Sequence, residues 1–141
     1  LFVAVSVSAQ QRGTPAEAKK MVEEAIAYIK ATGEKKAFAE FNNPKGTFVD
    51  RDLYIMVYDM NGTCLAHGAT KDRIGKNFMD SKDDAGNLVV KQRVEMAKIK
   101  GSGWQDYVFA NPISKKVEPK TAYFEKYGDI IVSCGAYKPG K

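Results

Sequence analysis

A chain of 141 residues that is 44% hydrophobic and 11% aromatic has the material for one buried core and is a single domain by size. Its 22 Lys+Arg against 17 Asp+Glu leave a net charge of +5, but the signs are interspersed, as in Lys19-Lys20 followed by Glu23-Glu24. That pattern is a solvated surface and argues against nucleic-acid binding, which needs a basic stripe interleaved with aromatics; the mild positive field favours acidic small ligands.

The first residues, LFVAVSVSAQ, read as the tail of a secretory signal peptide over residues 1–9, with Val7-Ser8-Ala9 as a small-residue cleavage site. The competing reading is the outer end of a membrane anchor, although a span needs about 20 apolar residues. Both put the remaining domain outside the cytoplasm. Thr14-Pro15-Ala16-Glu17 is a capping box with proline at the first helical position, and Ala18, Met21, Val22, Ala25, Ile26 and Ile29 recur at helical spacing. Together they predict a long N-terminal helix. Gly33 ends it, and a second, short helix follows over 34–41 with Ala37, Phe38 and Phe41 inward, stopped by Asn42-Asn43-Pro44.

Leu53 to Met60 is an apolar strand, and Asn61-Gly62 predicts a type I′ hairpin into a second strand, Thr63 to His67. Alternation gives Leu53, Ile55 and Val57 to the helix side and makes Tyr54, Met56 and Tyr58 the wall of a pocket. The polar stretch from Lys71 to Gly86 contains Asp80, Asp83 and Asp84, whose spacing fails for a calcium loop; these acids are expected to cap the next helix, about Leu88 to Lys100. On that helix Val90, Val94 and Ala97 form the apolar face, and Arg93 is read as lying away from it and is left out of the site.

Three β-type runs close the chain: Trp104 to Ala110, Thr121 to Lys126 and Ile130 to Tyr137, separated by Asn111-Pro112 and Gly128-Asp129. They predict an antiparallel meander. It gathers Trp104, Tyr107 and Tyr123 near Lys120, and a cation beside phenol and indole edges is chemistry for a small anion. Ser133 and Gly135 would leave room for one.

The blocks G-x-G-W-x-x-Y-x-x-x-N-P, P-K-x-x-Y and G-D-x-x-x-x-x-G-x-Y, with Leu53 to Gly68 and Ile74-Gly75-Lys76-Asn77 upstream, resemble the single Cache domain over residues 14–138. This is the PAS-like extracytoplasmic sensory module of bacterial chemoreceptors, sensor kinases and stand-alone secreted proteins. One departure is that many members have His-Pro where this chain has His67-Gly68, which is expected to loosen that turn.

The resemblance implies an α+β, PAS-like fold: a long N-terminal helix packed on a five-stranded antiparallel sheet, with a small ligand pocket on the opposite face. It implies a periplasmic or secreted sensing domain for a short-chain carboxylate of the acetate, propionate, lactate or pyruvate type. Lys120, Tyr123, His67, Tyr54, Tyr107 and Trp104 are the candidate ligand-binding residues, and a protonated His67 would make affinity fall as pH rises. A membrane receptor or kinase is the expected partner. The alternative is an interaction module that forms a homodimer through its N-terminal helix without a physiological ligand. In the family's sheet order, 2-1-5-4-3, Cys64 and Cys134 are separated by an intervening strand, so two free buried thiols are expected.

An enzyme is not expected, nor a cofactor or a metal. His67 is the only histidine, and on a regular strand Cys64, three residues earlier, points to the opposite face. Neither a haem-attachment motif, a phosphate-cradling glycine loop nor a Gly-x-Ser-x-Gly elbow is present.

Overall fold

The computed structural model describes residues 11–138, so the reading of residues 1–9 as a signal-peptide remnant lies outside the described residues. Helix α1 (Pro15–Thr32) begins at the predicted capping box: Thr14 Oγ1 accepts from the Glu17 N–H at 3.2 Å while the Glu17 carboxylate accepts from the Thr14 N–H at 3.1 Å. Gly33, at φ 86°, stops it and leads into α2 (Glu34–Phe41).

Strands β1 (Val49–Asp50) and β2 (Leu53–Tyr54) form a two-residue pair. Five strands make the main sheet: β3 (Met56–Asp59), β4 (Cys64–His67), β5 (Ser102–Ala110), β6 (Val117–Tyr127) and β7 (Ile130–Tyr137). The spatial order is β4-β3-β7-β6-β5 and every pairing is antiparallel, as the family resemblance implies. Central β7 is buried along its whole length because both faces are covered. Ile130, Val132 and Cys134 pack with α1, while Ile131 and Tyr137 pack on the side of α3 (Val89–Lys100) with Val90, Val94 and Ala97.

Three local expectations give way to the chain's own hydrogen bonding. The strand expected over 53–60 is broken at Ile55 into β2 and β3. The turn after it is not type I′, since Asn61 is not among the positive-φ residues and only Gly62, at φ 87°, is left-handed. The Asp59 carboxylate takes the N–H groups of Asn61 and Thr63 instead, closing a longer turn. Finally, a β-bulge slips the register so that Tyr58 pairs with Cys64 and Met56 with His67. Leu65 is the extra residue, and Cys64 and His67 therefore share a face, contrary to the alternation argument. Both cysteines are free and buried, Cys64 on the α3 side and Cys134 on the α1 side.

Buried polar groups fasten the start of α1 to the β5–β6 turn. Arg12 donates twice to Glu118 at 3.0 and 3.1 Å, and Asn111 donates to Glu118 at 2.8 Å and to Asp52 at 3.2 Å. Asp52 in turn accepts from the Gly13 N–H at 2.7 Å. Removing Asn111 leaves two buried carboxylates each one donor short. The Asn111→Ala variant is therefore expected to lose about 2 kcal/mol or more of unfolding free energy, read as a lower urea midpoint.

Candidate functional site

A cavity of about 250 Å³ lies between the α3 side of the sheet, α3 and the 69–88 connection. Met56 and Tyr58 from β3, His67 from β4, and Tyr107 and Phe109 from β5 wall one side; Val89, Val90 and Arg93 from α3 wall the other. Arg73 and Phe78 reach in from the connection, with the guanidinium 3.7 Å from the Phe78 ring centre and donating to the Tyr58 hydroxyl at 3.0 Å. Asp83 holds that connection down. Its carboxylate accepts from Ala85 and Asn87 within the loop and from the Val108 N–H on the outer edge of β5 at 3.2 Å. Burial pushes its pKa up, but these N–H bonds outweigh it and hold the group below the usual carboxylate value. Asp83 thus anchors a loop, and none of the three acids caps α3, whose N-cap is Leu88 without a side-chain cap bond.

Arg93 is the residue that the sequence reading missed. It stands three positions after Val90 and beside Val94, which on a helix is the same face, and it is only 2% exposed. Its Nε donates to Gln105 Oε1 at 2.9 Å and its Nη1 to Ser133 Oγ at 3.2 Å, both neutral acceptors. Gln105 is itself oriented by donating to the Val89 carbonyl at 2.8 Å. The 3.6-residue spacing from Val90 was the available signal.

His67 is held on three sides. Its backbone N–H donates to Asn42 Oδ1 at the end of α2, and its Nδ1 accepts from the N–H groups of Thr70 at 2.8 Å and Ala69 at 3.3 Å. Two donors on Nδ1 place the ring proton on Nε2. That Nε2 is buried and has no partner among the described residues. Burial first, then the charges of Lys120, Arg73 and Arg93, lower its pKa from 6.5 to about 2, so the ring is neutral throughout the physiological range. The expected protonation-dependent binding through His67 is thereby overturned. Nor is the following turn loose: the Gly68 N–H donates to the Ile55 carbonyl at 3.0 Å, a bond proline could not make.

Lys120 is buried to 1% exposure but does not reach the cavity surface. Its ammonium donates to the Tyr54 hydroxyl at 2.9 Å; Tyr54 bonds the Tyr137 hydroxyl at 2.9 Å, and Tyr137 donates to the Ala110 carbonyl at 2.8 Å. Tyr54 and Lys120 therefore form a layer behind Tyr107 and His67. The room made by Gly135 is taken by the lysine stem, since a Cβ there would lie 2.2 Å from Lys120 Cε, and Ser133 is occupied by Arg93. Burial works against the Lys120 charge, but Tyr107 and Tyr54 outweigh it and its pKa is raised. Tyr107, also buried, is pulled down by Lys120 and Arg93.

Tyr123 and Trp104 are not at the site. Tyr123 is three residues from Lys120 on a regular strand, so it faces α1, where its hydroxyl donates to Glu125 at 2.7 Å and its ring lies 5.4 Å from that of Trp104, its cross-strand partner. Trp104 is 43% exposed and neither plugs the core nor covers the cavity.

Among known proteins, the family model for single Cache domain 2 matches residues 4–138, and the chain belongs to that family. The sensor histidine kinase MctS of Rhizobium johnstonii is 29% identical over 73 residues, which is 52% of this chain and 16% of the kinase; the chain spans about a sixth of that relative. A methyl-accepting chemotaxis protein from Vibrio parahaemolyticus superposes with a TM-score of 0.76 at 22% identity, covering 86% of each chain. A structure describing carboxylic acid recognition by a Cache chemosensory domain gives 0.70 at 22% identity, over 88% of each. The protein is an extracytoplasmic, ligand-binding sensory domain of the kind that serves chemoreceptors and sensor kinases.

Two measurements check the site's internal structure. Lys120→Ala is expected to lower stability by roughly 2–4 kcal/mol through the hole left over Gly135, whereas Lys120→Met, which keeps the stem, costs clearly less; both are read by chemical denaturation. His67 binds a proton in the unfolded chain below pH 6.5 but not in the fold until about pH 2. Its contribution therefore falls as pH drops through that window, by up to about 1.4 kcal/mol per pH unit, a slope that His67→Asn is expected to remove.

Proposed function

We propose that the domain binds a small organic carboxylate and reports its presence to a membrane receptor or kinase. The observation that carries this is Arg93, a buried guanidinium on the cavity wall bonded only to uncharged groups. Buried charges are almost always paired, and a carboxylate entering the cavity supplies the counter-charge in the bidentate geometry a guanidinium prefers. The Lys120 ammonium and the Arg93 guanidinium lie 5.7 and 5.2 Å from the Tyr107 ring centre, so the positive potential reinforces this end of the cavity. The anchor is Arg93, with Lys120 acting from behind the wall. Since an apolar cavity of about 150 Å³ holds benzene, a volume of about 250 Å³ accommodates acids well beyond acetate and pyruvate.

A contiguous route leads from the cavity to α1. Phe109, on the wall, is the cross-strand partner of Glu118, which holds Arg12 just ahead of the helix. A ligand that displaces Phe109 acts on the clasp at the start of α1, the element placed to carry a signal.

The test is a thermal-shift screen of straight-chain, hydroxy and oxo acids from two to eight carbons, with matched amines and amides. An acid present at about 100 times its dissociation constant is expected to stabilise by about 2.7 kcal/mol, and Arg93→Met is expected to abolish that shift while remaining folded. Stabilisation by amines or amides alone would overturn the carboxylate reading. No response to any compound would favour the interaction module that dimerises through its N-terminal helix.

A further inference from the structure

His67 adds a second requirement to the ligand. Its Nε2–H is a fixed donor, because Ala69 and Thr70 both occupy Nδ1, and it is fully buried on the cavity wall without a protein acceptor among the described residues. A methylene set against such a donor leaves it stranded, and a ligand oxygen within reach of Nε2 does not.

The donor also stands at the opposite end of a row of side chains from the one that holds Arg93. Ser133, Met56 and His67 form one row across β7, β3 and β4, and Arg93 is fastened to the Ser133 end of it. Two strand spacings of about 4.8 Å separate the Cα atoms of Ser133 and His67, with the Met56 side chain between them and the Tyr107 hydroxyl above its sulfur. One carboxylate on Arg93, with its two oxygens on a single carbon, does not bridge that row.

We propose that the ligand carries a neutral oxygen acceptor, a carbonyl or hydroxyl several bonds from its carboxylate, and that His67 is the residue that selects for it. This rests on the reading of Arg93 as the carboxylate anchor. The site then discriminates against unsubstituted fatty acids of the same length: they satisfy Arg93 and leave His67 stranded. Selection by a donor that must not be left unpaired is stronger than selection by size.

The experiment is calorimetric titration with matched pairs of acids that differ in one oxygen: pentanoate against 4-oxopentanoate, hexanoate against 5-oxohexanoate, and benzoate against 4-hydroxybenzoate. In at least one pair the oxygenated acid is expected to bind roughly tenfold or more tightly. His67→Asn, which retains an acceptor for the Ala69 and Thr70 N–H groups but lacks the distal donor, is expected to bring that ratio to about one. His67→Gln, which restores a donor near the Nε2 position, is expected to recover part of the ratio. Acids that bind through Arg93 with no preference in any pair would overturn the role of His67 and leave the carboxylate reading standing. A preference that survives His67→Asn would likewise overturn it. If no acid binds, or binding is indifferent to Arg93→Met, both the anchor and the selection fail together.

Discussion

A guanidinium buried against uncharged partners is the constraint around which this domain is arranged. Arg93, Lys120 and Arg73 all stand at or just behind one cavity, and none of the three forms an ion pair among the described residues. The fold tolerates them through neutral acceptors and ring faces: Gln105 and Ser133 for Arg93, Tyr54 for Lys120, Tyr58 and Phe78 for Arg73. Such partners keep the cations solvated without neutralising them. The positive potential at the cavity is thus left uncompensated by the protein itself, where a structural salt bridge would remove it.

The same economy explains the neutral histidine. Burial, and then the charges of Lys120, Arg73 and Arg93, hold a second proton off His67, and the ring is left as a directional donor of fixed tautomer. Its position is over-determined by Asn42 at the end of α2, by the Ala69 and Thr70 N–H groups, and by the ladder bond of Gly68. The cavity therefore has rigid polar ends and walls of rings and aliphatic chains.

Burial on the α1 side is of a different kind. There the contacts are aliphatic and aromatic, and the polar work is done at one end by Arg12, Glu118, Asn111 and Asp52. Because Glu118 and Phe109 face each other across β5 and β6, this polar cluster at the start of α1 borders the cavity wall. The helix and the pocket lie on opposite faces of one sheet, and this clasp joins them at its rim.

The sequence by itself determined the elements and their order. The capping box at Thr14, the six apolar positions of α1, the glycine stop at Gly33 and the β-type runs that begin at Leu53 and Ile130 are all local signals, set by backbone geometry and side-chain spacing. The family blocks supplied the sheet order. Among the site residues, Tyr107 and His67 on the wall and Tyr54 behind it were legible from alternation and from the motif blocks. Arg93 was legible too, from its spacing to Val90, and was misread; so was Tyr123, whose separation of three from Lys120 puts it on the other face. Only the tertiary structure decided the rest. The bulge at Leu65 turns Cys64 and His67 to the same side, the stem of Lys120 fills the space above Gly135, and the 69–88 connection folds back to pin itself on β5. Each of these depends on contacts between residues far apart in the chain, and no local period or propensity encodes the shape of the space they leave.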